Sequence, residues 1–215
     1  MLLRVNQVAF GLGAGVLGAS GNRMCVWPQG CSLKKCPGCS SMHTWPTEGG
    51  KQMSIELLLG LARAQKQPPS GLTLSGGEPT DQAESVGAFI KAFRVAFPGT
   101  EVVLYTGLRW SEFAARFPSL LQLLDVAVAG PYVRTRQATA LAGSSNQEVH
   151  LLTPLARRLY RDWENWSLHE LQVGSASAGK LVTVGIPNTQ RMTKAAQHLG
   201  AVNVTWDQTG QEMRA

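Results

Sequence analysis

Four cysteines stand at positions 25, 31, 36 and 39, and none follows in the rest of the 215-residue chain. Thiols that staple a fold join distant segments, whereas a set confined to one stretch points to a metal or redox centre. The stretch reads Cys25-Val-Trp-Pro-Gln-Gly-Cys31-Ser-Leu-Lys-Lys-Cys36-Pro-Gly-Cys39. Three thiolates around an iron–sulfur cubane leave one iron without a protein ligand, open to a small molecule. Gly30, Pro37 and Gly38 can turn the backbone sharply around such a cluster, and nearby amides can donate to its sulfurs. Lys34 and Lys35 would partly offset the thiolate charge. Two other chemistries use the same residues. A four-thiolate zinc site would recruit Cys25 as well, although zinc loops bring two close pairs and only Cys36 and Cys39 make one. A Cys36-Pro-Gly-Cys39 redox pair would leave Cys31 idle.

A second constellation follows the apolar run Leu72 to Ser75, which ends in Gly76-Gly77-Glu78-Pro79. Two glycines allow a ligand close to the backbone, and the carbonyls with Glu78 offer acceptors to a cation. By itself the same sequence is also an ordinary strand-to-helix turn. Thr106-Gly107 closes the next expected strand, at the end where ligands of a parallel sheet gather. Gly143 to Gln147 is rich in hydrogen-bonding side chains, and its Ser145 and Asn146 suit a site or a support equally. His43, His150, His169 and His198 lack metal-ligand spacing and read as structural or exposed. No clean helix follows Gly11, Gly13, Gly15 and Gly18, so this run reads as a connection rather than a nucleotide-binding turn.

Five motifs occur in order. Gln29-Gly30-Cys31-Ser32-Leu33 comes first, with Cys36-Pro37-Gly38-Cys39 and Thr44-Trp45. Leu74-Ser75-Gly76-Gly77-Glu78-Pro79 and Tyr105-Thr106-Gly107 come next, then Asp125 with Ala129-Gly130-Pro131-Tyr132, then Gly143-Ser144-Ser145-Asn146-Gln147. In these the chain resembles the small radical S-adenosylmethionine activases, especially the activating proteins of anaerobic ribonucleotide reductase, from about residue 20 to about residue 153. The group's usual C-x3-C-x2-C spacing is lengthened by one residue, since Ser32 to Lys35 separate Cys31 from Cys36. Gln29-Gly30 still marks Cys31 as the first ligand, which leaves Cys25 as a small buried hydrophobe.

The resemblance implies a 4Fe-4S cluster on Cys31, Cys36 and Cys39, and S-adenosyl-L-methionine held at Ser75, Gly76, Gly77, Glu78 and Thr106. It implies an electron donor such as flavodoxin or ferredoxin and reductive cleavage of the cofactor to a 5′-deoxyadenosyl radical. That radical takes hydrogen from a substrate, and no general base is required. The first expectation for the substrate is a partner glycyl-radical enzyme. A small molecule, nucleotide or peptide is the alternative, and a non-enzymatic iron–sulfur or zinc module is the third.

The elements that must position these residues alternate short apolar strands with helical stretches, which predicts an α/β fold with a mostly parallel sheet. Strands are expected at Leu3–Val8, Leu72–Ser75, Val102–Tyr105, Val126–Ala129, Leu168–Val173, Leu181–Val184 and Val202–Trp206. Helices are expected at Ile55–Ala64, after Asp81 with Glu84 completing a capping box, at Trp110–Phe117 and at Arg191–Leu199. Ala88, Phe89, Ala92 and Phe93 would line the buried stripe of the second. The resemblance makes the whole a partial (β/α) barrel. Residues 1–215 read as one domain, with the cluster loop at 25–45, a core to about 153 and an extension over 154–215. Within that extension the segment from Arg157 to Glu170 reads as an amphipathic surface or part of a pocket. No run reaches the ~20 apolar residues that span a bilayer, and no leader pattern opens the chain, so a soluble cytoplasmic protein is expected. The net charge of +6 is spread over short separate groups, which argues against a nucleic-acid site.

Overall fold

The computed structural model describes residues 1–12, 15, 17–34, 36, 38–166, 172–176, 181–184, 205–206 and 212–213. Its centre is a run of four parallel strands: β2 (Arg23–Pro28), β4 (Gly71–Leu74), β5 (Glu101–Thr106) and β6 (Val126–Ala129). The long strand β1 (Leu2–Leu12) lies antiparallel to β2 and also pairs with β3 (Lys51–Ser54) and β8 (Gln172–Ala176). At the far side β7 (Glu148–Leu151) lies antiparallel to β6, and β9 (Leu181–Val184) pairs with β8. The order is β7-β6-β5-β4-β2-β1-β8-β9, with β3 on β1, and among the described residues the sheet is open.

Side chains alternate between the two faces, as period 2 requires. Met24, Val26, Leu72, Leu74, Val102 and Leu104 join one core, while Cys25 points to the other face with Ala9 and Leu12. The first face is covered by α1 (Ile55–Arg63), α2 (Ala83–Ala96), α3 (Trp110–Arg116) and α4 (Pro118–Leu121). Helix α1 begins where the Ser54 hydroxyl accepts the Leu57 amide at 3.1 Å, and it buries Ile55, Leu58, Leu59 and Ala62. Helix α2 buries Val86, Phe89, Ile90 and Phe93, so Phe89 and Phe93 are where the sequence puts them, while Ala88 and Ala92 sit at the stripe's edge. Burying one such phenylalanine is worth about 1.5–3 kcal/mol. The second face is covered by residues 141–166, including α5 (Pro154–Leu159), through Leu141, Ala142, Ala156 and Tyr160.

Two expectations change. The strand carrying Cys25 is not among those expected, because its first residue, Arg23, is a charge. Arg23 is fully buried and ion-paired with Glu101 at the start of β5. The expected capping box before α2 is not formed either: Gln82 precedes the helix without a side-chain cap, and Asp81 bonds elsewhere. Most of the strands expected at 168–173 and 202–206, and the helix at 191–199, lie outside the described residues; the described parts are β8 and a short pair, β10 (Thr205–Trp206) with β11 (Glu212–Met213). No helix of the described residues is long and apolar enough to cross a membrane.

Candidate functional site

The four parallel strands end together, so the chain leaves Pro28, Leu74, Thr106 and Ala129 on the same border of the sheet. Loops at the carboxyl ends of parallel strands are where α/β sheets collect ligands. The five sequence motifs lie in or against these loops except for Asp125, which precedes β6 at the opposite border and accepts from the Val102 amide, Arg94 and the Thr153 hydroxyl.

The cysteine loop leaves β2 and is closed at its base by main-chain bonds. The Gly30 amide donates to Thr44 O at 2.7 Å and the Cys31 amide to Trp45 O at 3.2 Å, which gives Thr44-Trp45 its place in the motif. The buried Gln29 accepts from Asn6 at 2.7 Å and donates to Pro46 O at 2.6 Å, pinning both arms. Inside the loop the extra residue is absorbed locally. Ser32 is tied to Asp81, and the Leu33 side chain fills the space where a Cβ on Gly107 would stand. Lys34 then takes a left-handed conformation with φ of 41°. A tight turn follows, in which the Cys39 amide donates to Cys36 O at 3.0 Å.

Cys31 is buried, and Cys36 and Cys39 are half-buried. Burial pushes the Cys31 thiol up; the Lys34 and Leu33 amides that donate to its sulfur oppose this, and the charges of Glu78 and Asp81 add to it. Burial raises Cys39 too, against the Ser41 amide, 3.3 Å from its sulfur, and the Trp45 side chain, with the nearby Cys31 adding. Cys25 is different. It lies mid-strand between Ala9 and Thr73, and burial drives its thiol up to about 12. The loop therefore holds three thiols, two of them already receiving amide donors, while Cys25 lies apart in the strand that precedes it. Among the described residues the chain alone does not gather three of its His, Cys, Asp or Glu into a metal-holding group.

The turn after β4 is bonded to the root of this loop. The Ser75 amide donates to Val26 O at 3.1 Å, Gly77 to Pro28 O at 3.1 Å and Glu78 to Gly30 O at 2.8 Å. A Cβ on Gly77 would stand 2.1 Å from Gly30 O, and one on Gly76 2.7 Å from Trp27. Gly77 is thus required by the neighbouring backbone, and Gly76 by the Trp27 side chain and its own φ of 109°. The buried Glu78 carboxylate accepts from the Thr80 amide at 3.1 Å, the Thr80 hydroxyl at 2.8 Å, the Thr106 hydroxyl at 2.9 Å and the Gly107 amide at 2.9 Å. Burial still pushes it above the usual carboxylate range. Thr106 in turn accepts the Leu108 amide at 3.1 Å.

The last two motifs bind each other. Gln147 donates to Gly130 O at 3.0 Å, Asn146 to Pro131 O at 2.8 Å, and the Ser144 hydroxyl accepts the Val133 amide at 3.0 Å. Asn146 thus ties down the Gly130–Val133 segment through its amide nitrogen, with its Oδ1 buried and unpaired among the described residues, while Ser145 is exposed. The parts played by Asp81, Leu33 and Gln29 have no local signal in the sequence, since each acts through a long-range contact.

Residues 16–150 match the family described as 4Fe-4S single cluster domain. The chain belongs to that family. This single-cluster protein is 31% identical over 147 residues to the anaerobic ribonucleoside-triphosphate reductase-activating protein of Salmonella typhi, which covers 64% of this chain and 93% of the relative. The protein of the same name from Escherichia coli K12 is 29% identical over the same shares. The pyruvate formate-lyase 1-activating enzyme of Escherichia coli K12 is 31% identical over 117 residues, 52% of this chain and 45% of that enzyme. The chain is thereby an enzyme of the radical S-adenosylmethionine activase group, with a 4Fe-4S cluster and S-adenosylmethionine as cofactors. The family match takes in all four parallel strands and stops within β7, so α5 and the later elements lie beyond it.

Proposed function

We propose that this enzyme makes a 5′-deoxyadenosyl radical from S-adenosylmethionine and uses it to take hydrogen from a glycine of a partner glycyl-radical enzyme. The observation that carries the reading is the pair of bonds from Gly77 and Glu78 to Pro28 and Gly30, which makes the cysteine loop and the glycine turn one unit. When bound, the cluster supplies one electron to the sulfonium, whose carbon–sulfur bond breaks to methionine and the radical. Cys31, Cys36 and Cys39 would hold three irons and leave the fourth to the cofactor. Ser75, Gly76, Gly77 and Glu78 would receive its ammonium group, with Thr106 fixing Glu78 from β5. Leu33 over Gly107 and Trp27 over Gly76 pack apolar surface at the base of this site and would keep solvent from it.

Residues 1–215 act in this reading as one unit, and the open sheet is an incomplete radical S-adenosylmethionine barrel whose mouth admits a loop of a large partner. A flavodoxin or ferredoxin in the cytoplasm is the electron source. The relatives named for reductase and lyase activation support the partner's class. Anaerobic reconstitution should yield about four irons per chain, and reduction with the cofactor should yield 5′-deoxyadenosine. Cys31→Ala, Cys36→Ala and Cys39→Ala should each abolish that product, while Cys25→Ala keeps it. Stoichiometric zinc without iron, or a cluster lost in Cys25→Ala and kept in Cys31→Ala, would overturn the assignment. For the partner, a glycyl-radical spectrum should rise when a glycyl-radical enzyme encoded nearby is added.

A further inference from the structure

The segment after β6 crosses the cysteine loop at one residue. Gly38, between Cys36 and Cys39, has φ of 75° and no room for a Cβ, because the Cδ, Cβ and Cγ atoms of Arg134 stand 2.5, 3.1 and 3.3 Å from that position. The aliphatic stem of an otherwise exposed arginine therefore lies on the Cys36–Cys39 turn. The guanidinium follows directly on the Cδ atom that stands 2.5 Å from the Cβ position on Gly38, so the charge is carried beside the Cys36–Cys39 turn. The arm is not loose. Ser144, Asn146 and Gln147 bond Val133, Pro131 and Gly130, and the Tyr132 ring packs on Gly143.

We propose that Arg134 is a positioning residue for the cluster: its stem seats the Cys36–Cys39 turn, and its guanidinium places positive charge beside the thiolates and favours the reduced state. The inference rests on the reading that Cys31, Cys36 and Cys39 hold the cluster. Reduction adds one negative charge, so a nearby cation raises the midpoint potential, and salt weakens the effect because the group is exposed.

The test is a redox titration of the reconstituted enzyme, followed by electron paramagnetic resonance, in the parent, Arg134→Gln and Arg134→Lys. Arg134→Gln should hold the parent's iron yet show a reduced-to-oxidised ratio three- to tenfold lower at fixed potential, about 30 to 60 mV at 59 mV per decade. Arg134→Lys should keep most of the parent's midpoint, and added salt should narrow the gap between parent and Arg134→Gln. An unchanged midpoint in Arg134→Gln overturns the inference and leaves the stem as mere packing. If Arg134→Gln holds too little iron to titrate, iron retention decides: recovery in Arg134→Lys supports the charge, and equal loss overturns it. A parent chain that takes up no four-iron cluster instead refutes the underlying reading.

Discussion

The Asp81 carboxylate accepts both the amide and the hydroxyl of Ser32, each at 2.6 Å. The residue directly after Cys31 is thus held by the turn that leads into α2. Hydrogen bonds to a charged group are worth about 1.5–3 kcal/mol, but solvent screens an exposed one toward the low end. Asp81→Ala should lower global stability by under about 1 kcal/mol while speeding iron release to a chelator several-fold. Equal release rates in parent and variant would show that the bond does not restrain the loop.

Glycines give a paired prediction. Gly77→Ala puts a Cβ 2.1 Å from Gly30 O, a backbone atom that cannot swing aside, so overpacking of about 1–3 kcal/mol and poor iron uptake are expected. Gly60, inside α1, has nothing within 4 Å of its Cβ position. Gly60→Ala should stabilise by about 0.5–1 kcal/mol and leave iron uptake intact. Calorimetry and iron assay of the two proteins check both signs.

What was legible in the sequence had local causes. Val126–Ala129 is a strand over those same residues, and α1 follows its apolar spacing, because a run of four apolar residues or an i, i+3, i+4 stripe is a pattern visible among neighbouring positions. The motifs' common border was legible through the strand ends. Strand β2 was not, since Arg23 is acceptable in a core only opposite Glu101, seventy-eight positions later. Asp81 offered a local helix cap, and Ser32, forty-nine positions earlier, took it instead. Glu78 stood out in the sequence only as an acceptor beside two glycines; that its carboxylate ties Thr80, Thr106 and Gly107 required the fold.

The Arg23–Glu101 pair predicts a pH signature. Burial pushes the Glu101 carboxyl up, but Arg23, the Tyr160 hydroxyl and the Ser20 amide outweigh it and hold the carboxyl below its usual range. A depressed acid contributes stability that is present above its unfolded value of about 4.3 and lost as pH falls through its folded value. Arg23→Met leaves a buried carboxylate alone and should cost about 3–5 kcal/mol at neutral pH. That deficit should shrink on acidification, because a protonated Glu101 no longer needs a cation. Urea unfolding at several pH values measures it, and a deficit constant with pH would contradict the account.

Thiol labelling of the iron-free protein should be graded. Cys25 is buried and its thiol is pushed to about 12, so it should resist alkylation at neutral pH until the chain unfolds. Half-buried Cys36 and Cys39 should react first. Mass spectrometry of peptides after brief exposure to iodoacetamide gives the order, and early modification of Cys25 would contradict the strand placement.

The close contact between Gly77 and Gly30 also bears on transplantation. Because the two loops share main-chain bonds and leave no space for a side chain between them, the proposed cluster site would not be portable as a peptide of three cysteines. Moving residues 29–45 into another protein should fail unless residues 75–81 travel with them on an adjacent parallel strand, so the smallest heritable module here is a pair of segments.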